Sequence, residues 1–171
     1  MYIPPLMELL GLVELTHVAR GNMIKAIIME TSDNSTITVE TIVNANVGIV
    51  WRYWTEPEHI TKWNNASDDW HTPFSENDLR AGGKFLSRME AKDGSFGFDF
   101  SGIYDEVKFD ELISYTIPDG RKVIITFISQ EKETKIIETF ELENTNSIEV
   151  QQRGWQAILD NFKRYTELTS I

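Results

Sequence analysis

The sequence contains no cysteine in 171 residues. Disulfides, thiolate nucleophiles and cysteine-based zinc or iron–sulfur sites are excluded at the outset. Basic residues are scarce: 16 Lys and Arg face 27 Asp and Glu, a net charge of −11. Without a basic stripe, phosphate backbones and anionic lipid are poor partners, so neither nucleic acid binding nor membrane insertion is expected. No apolar run approaches the ~20 residues that cross a bilayer. Glu8 and Glu14 interrupt the apolar start, and no basic residue precedes Arg20, so residues 1–34 do not read as a signal peptide. A cytoplasmic location is the expectation. The histidines, His17, His59 and His71, show no metal-ligand spacing, and neither a metal nor another cofactor is expected. A Gly-x-Ser-x-Gly elbow is missing, and Gly82-Gly83-Lys84-Phe85 lacks the Gly-Lys-Ser/Thr of a phosphate loop.

What is present is patterned. A chain of this mass buries about 70 % of its extended surface, enough for one domain with a sizeable core. Residues 1–34 read as an N-terminal extension. Leu6, Leu9, Leu10 and Val13 recur at helical spacing after Pro4-Pro5, so the segment is a short helix, for docking or as an appendage, or it is disordered. Residues 35–171 form the domain. Residues 36–43 alternate and are β-branched, which predicts a strand. Asn46 can cap a helix with Val47, Val50, Trp51 and Trp54 on its apolar face. Thr55-Glu56-Pro57-Glu58 reads as a capping box opening a second short helix that ends at Trp63. Residues 64–77 are polar and read mostly as loop, with some strand.

A strand meander follows over residues 84–142, punctuated by Asp93-Gly94 and by Pro118-Asp119-Gly120. Residues 147–168 carry Trp155, Ile158, Leu159 and Phe162 at i, i+3, i+4 and i+7, which predicts a long amphipathic helix. The order is strand, two short helices, five or six strands, long helix. An antiparallel sheet with one apolar face must bury it on that helix, so the predicted class is α+β: a curved antiparallel sheet wrapped around a long C-terminal helix.

Several segments also resemble a known family. Ala45-Asn-Val-Gly-Ile-Val-Trp51, Thr55-Glu-Pro-Glu-His-Ile60 with Trp63, and Gly82-Gly-Lys-Phe85 resemble the SRPBCC (START-like, helix-grip) superfamily. Phe98-Asp-Phe-Ser-Gly-Ile-Tyr104, Thr139-Phe-Glu141, Gly154-Trp155 and Leu159-Asp-Asn-Phe-Lys-Arg-Tyr165 narrow the likeness to one group. That group is named for the activator of the heat-shock protein 90 ATPase. Lys108-Phe109-Asp110 lacks a proline often found there, and residues 1–34 have no counterpart. The resemblance implies a helix-grip fold with two small helices closing one end, and an elongated apolar cavity between sheet and helix. Members bind lipid-like, polyketide-like or other aromatic molecules, some cyclise polyketides, and one branch serves as a chaperone cofactor.

Candidate site residues follow from strand alternation, helix spacing and that architecture. Phe98, Phe100 and Tyr104 share one strand face, and Trp155 and Leu159 one helix face. Phe127 and Phe140 join them on strands that are apolar on both faces, and Trp63 and Trp70 are expected near the mouth. Rings at such positions either fill a core or frame a cavity. His71 beside Asp69 could act as an acid–base pair, although a solvated polar loop is the simpler reading. No catalytic residue is assigned. The leading expectation is a binding protein for a hydrophobic or aromatic small molecule. A chaperone ATPase cofactor-like interaction protein, self-association, and a polyketide cyclase-like enzyme are the alternatives.

Overall fold

The computed structural model describes residues 35–171. The helix expected around residues 6–13 lies outside them. Seven antiparallel strands form one curled sheet in the order β1-β7-β6-β5-β4-β3-β2. The strands are β1 (Thr36–Val43), β2 (Trp70–Asn77), β3 (Lys84–Ala91), β4 (Gly97–Lys108), β5 (Leu112–Thr116), β6 (Lys122–Gln130) and β7 (Glu133–Glu141). Two short helices, α1 (Val47–Thr55) and α2 (Pro57–Trp63), follow β1, and α3 (Ile148–Thr169) ends the domain. This is the helix-grip architecture.

Alternation places the core. Ile37, Val39 and Val43 of β1 are buried while Thr36, Thr38, Glu40 and Ile42 are exposed. On β6, Val123, Ile125 and Phe127 point inward, leaving Ile124 and Ile128 outside, so the two-faced apolar pattern resolves into one phase. On β4, Gly102 and Tyr104 are buried, then the register with β5 slips between Tyr104 and Glu106. That bulge moves the inward file from even to odd positions, so Val107 packs on the core. Gly120 closes the β5–β6 turn at φ 93°, a conformation that costs a residue with a Cβ. Asp110 turns β4 into β5 at φ 62°, where its short polar side chain is tolerated without the missing proline.

The helices obey their caps, with one correction. The Asn46 side chain accepts from Ile49 N at 3.1 Å, and the Ser147 side chain from Val150 N at 3.2 Å. The capping box expected at Thr55 does not form. Thr55 is the buried last residue of α1, its hydroxyl donating to Trp51 O at 2.8 Å. Glu56 takes the cap position of α2 with no side-chain cap hydrogen bond, and Pro57 supplies the start. A second correction concerns residues 64–77, where the strand β2 takes up all of Trp70–Asn77. Its polar end, Ser75 to Asn77, and Pro73 hid the strand in the sequence.

On α3, Trp155, Leu159, Phe162 and Thr166 form the buried stripe. The helix lies closest to β1 among the strands. There Gln156 Nε2 donates to Glu40 O at 3.2 Å and Lys163 Nζ to Ile42 O at 2.6 Å. Asn44 N donates to Glu167 Oε2 at 2.8 Å. Away from β1 the sheet curls off the helix, and large side chains span the gap.

Candidate functional site

The end of the grip is closed by α1 and α2, and hydrogen bonds hold this cover in place. Trp63 Nε1 donates to Tyr53 O at 2.9 Å, tying the two helices together. Asn161 Nδ2 of α3 donates to Trp63 O at 2.7 Å. Asn77 Nδ2 of β2 donates to Thr55 O at 2.7 Å, and Thr72 Oγ1 to Asn64 O at 2.6 Å. Phe162 is fully buried, its ring meeting Trp54 at 4.8 Å and Trp63 at 4.9 Å between centroids. Edge-to-face rings of this kind fix mutual orientation as well as burying area.

Beneath that cover a void of about 90 Å³ separates the inner sheet face from α3. Its walls come from all three helices and from β2 to β7. Trp54 and Trp63 roof it, Phe85, Phe100, Tyr104 and Tyr115 form the sheet side, and Trp155 with Ile158 the helix side. Asn64, Ser75, Glu76 and Asn77 lie where the lining reaches solvent. Pockets for drug-sized ligands run to roughly 300–1,000 Å³, so this void takes a small group as it stands. A larger occupant must displace Trp54 or Phe100, both only half-buried.

The buried acid of the lining is Glu138 on β7. It sits in the inward file between Ile136 and Phe140 and is 6 % exposed. Burial pushes its carboxyl up to about 8, because the charged form loses hydration that nothing replaces. Tyr115, fully buried nearby, is raised well above the usual phenol value by its own burial and then by the charge of Glu138. Tyr104 is also raised by burial, and its hydroxyl donates to Asn77 Oδ1 at 2.5 Å. The cavity is thus apolar and aromatic, with one acid at its floor.

Four of the residues singled out in the sequence line the void: Trp63, Phe100, Tyr104 and Trp155. The others lie in the packed layers around it. Trp70 is 2 % exposed and meets Phe98 at 6.0 Å, so it stands within the core, away from the mouth. Phe127 is wedged under α1 between Trp51 and Trp54. Phe140 backs Trp155 in a parallel stack at 4.1 Å, and Leu159 is completely buried. Gly102 makes room for a protein ring, since a Cβ there would stand 2.7 Å from Phe85 Cε1. Sequence reasoning missed Phe85, Tyr115 and Glu138. For Glu138 the signal existed: once Phe140 is placed inward, a period of two puts Glu138 inward as well.

The histidine sites carry less. His71 meets Glu90 at 3.7 Å, while Asp69 Oδ1 accepts from Ser67, so the acid–base pair considered above is not assembled. His59 stacks on Tyr53 at 4.1 Å and shares a 2.7 Å hydrogen bond between Nδ1 and Tyr165 OH. Ligand atoms of Glu56, Glu58 and His59 lie within 4.8 Å of one another and could hold a metal. Arg52 already occupies that charge, pairing with Glu56 at 3.1 Å.

Comparison with known proteins agrees with this fold. The family model described as activator of Hsp90 ATPase homolog 1-like protein matches residues 44–167. A separate model, for a family of unknown function, matches residues 1–27. The solution structure of an AHSA1-like protein from Aeromonas hydrophila is similar at 43 % identity and TM-score 0.76, covering 80 % of this chain and 94 % of that one. A solution structure from Cytophaga hutchinsonii is 56 % identical with TM-score 0.69, covering 79 % and 94 %. A crystal structure from Nitrosomonas europaea shares the fold at 19 % identity and TM-score 0.68, over 79 % of this chain and 96 % of that one. No curated protein matches the sequence. With the curled sheet, the gripped helix and the family match agreeing, the chain belongs to the activator of Hsp90 ATPase homolog 1-like family.

Proposed function

We propose that this chain is a non-enzymatic, cytoplasmic binding protein for a small apolar or aromatic molecule held between the sheet and α3. The observation that carries the reading is the void walled by Trp54, Trp63, Phe100, Tyr104, Tyr115 and Trp155. Apolar concavities with a few convergent polar groups are the usual form of small-molecule sites. Burying ligand surface there gains roughly 25 cal/mol per Å², and the polar groups at the mouth and floor fix orientation. Glu138 favours one second reading. A carboxyl held near neutrality suits proton transfer, as a cyclase-like enzyme would require. The binding reading stands ahead because the neighbouring Tyr104 and Tyr115 are both raised, which keeps them protonated and makes them poor proton donors.

The test is a panel of small aromatic and apolar molecules added to isotope-labelled protein. Binding is expected to shift the indole signals of Trp63 and Trp155, and a ligand at 100-fold its Kd should stabilise by about 2.7 kcal/mol. The ligand should be recovered unchanged. Turnover abolished by Glu138→Gln would move the protein to the enzyme class. Silence of both indoles across the panel would refute the reading and put a chaperone interaction role ahead.

A further inference from the structure

The cavity's charge is one-sided. Among the described residues that line it, the acidic and basic side chains are Glu138 at the floor and Glu76 at the mouth, with no Lys, Arg or His. The Glu138 side chain forms no hydrogen bond or ion pair with any described residue, although it is 6 % exposed. A buried carboxyl without a partner is costly, and cores normally exclude one. A neutral apolar ligand would leave that cost in place, and an anion would be repelled by both glutamates. A cation meets both needs at once. Its charge would pair with Glu138, and its remaining sides would meet the rings of Trp54, Trp63, Tyr115 and Trp155, since aromatic rings attract positive charge. The net charge of −11 steers cations toward the protein as a whole.

We propose that the occupant of the cavity is a small organic cation, an amine or quaternary ammonium, whose charge meets the Glu138 carboxylate inside the surrounding rings. The proposal rests on the ligand-binding reading above and names its ligand class. The charge state of the site is set locally. Tyr115 on β5, whose phenol feels the charge of Glu138, and Tyr104 beyond it on β4 are both raised and stay neutral through pH 9. Arg121 acts on Tyr115 and Asp78 on Tyr104 from outside the void, while β6 and α3 present Ile125, Trp155 and Ile158. Burial holds the Glu138 carboxyl at about 8. Roughly one carboxyl in ten is therefore ionised at pH 7 and nine in ten at pH 9. A permanent cation should bind about tenfold more tightly at pH 9 than at pH 7, because it selects the ionised form.

The experiment compares choline with 3,3-dimethylbutan-1-ol, which has the same shape with carbon in place of the charged nitrogen. Both are titrated into the full chain at pH 7 and pH 9, read from the Trp63 and Trp155 indole signals. Choline is expected to bind at least tenfold more tightly than the alcohol at pH 9, and the pH dependence should belong to choline alone. In Glu138→Gln the preference for choline should vanish, while the Trp63 and Trp155 indole signals of the ligand-free variant keep their wild-type positions and so report an intact cavity. Equal affinity for the two probes in the wild-type protein, a comparison that needs no variant, would overturn the cation assignment and leave the ligand-binding reading standing. So would survival of the preference in Glu138→Gln, or silence of both probes where neutral aromatic molecules still bind. Silence of the indoles toward every molecule would overturn both.

Discussion

Glu138→Gln should make the folded state more stable, and more so as the pH rises. The carboxyl sits at about 8 in the folded chain against 4.5 when exposed. Below about pH 4 both states hold the proton and the residue adds no pH dependence. As the pH climbs past 4.5 the unfolded chain ionises first, while the folded chain still binds the proton. The unfolded state therefore gains, and stability falls until the folded carboxyl also ionises. At 1.36 kcal/mol per pH unit, the loss is about 3 kcal/mol at pH 7 and approaches about 5 kcal/mol above pH 9. Glutamine has nearly the same volume and no proton to exchange, so it removes this slope and leaves a constant offset for burying an amide. Urea unfolding at pH 5, 7 and 9, followed by tryptophan fluorescence, measures the gap between the two proteins. Subtracting one curve from the other cancels the titration of distant acids, which contribute equally to both. The gap should widen by several kcal/mol from pH 5 to pH 9. Parallel curves would refute the argument and mean that Glu138 is hydrated or paired when folded.

Two packing predictions accompany it. Phe162→Ala removes a fully buried ring from between Trp54 and Trp63, and should cost about 3–5 kcal/mol in the same assay; a loss below 1 kcal/mol would mean that the roof repacks freely. Gly102→Ala drives a methyl group against the Phe85 ring and Thr116 O, which should cost about 1–3 kcal/mol. Because Phe85 also lines the void, ligand affinity should fall with it, and unchanged affinity would separate that ring from the site.

The architecture was legible because period-two and 3.6-residue patterns dominate residues 36–43 and 84–168. What failed did so for local reasons. Thr55 has the chemistry of a cap, yet α1 runs through it and its hydroxyl turns back to Trp51 O. β2 is an edge strand that ends in Ser75, Glu76 and Asn77, so it carries a loop's composition. The site was half legible. Alternation on β4 and spacing on α3 found Phe100, Tyr104 and Trp155, but aromaticity alone cannot tell a wall from the layer behind it. Phe140 and Leu159 pack directly behind the helix face of the cavity, and no sequence pattern distinguishes those depths. Glu138 was hidden by its type, since a glutamate in a strand is read as solvent-facing before its phase is checked.

The three hydrogen bonds from α3 to the rim of β1 bear on how such molecules coexist at high concentration. An open sheet ends in unpaired amides and carbonyls, which invite a strand from another molecule. Here the carbonyls of Glu40 and Ile42 and the amide of Asn44 are already taken by Gln156, Lys163 and Glu167. The helix stands in for an eighth strand, with side chains in place of a backbone ladder. At the opposite rim β2 carries Pro73, which has no amide to offer, beside a break in register between His71 and Phe74. One border is partly capped and the other is blunted, so the curled sheet can leave its ends unjoined while offering less of a template to its own copies.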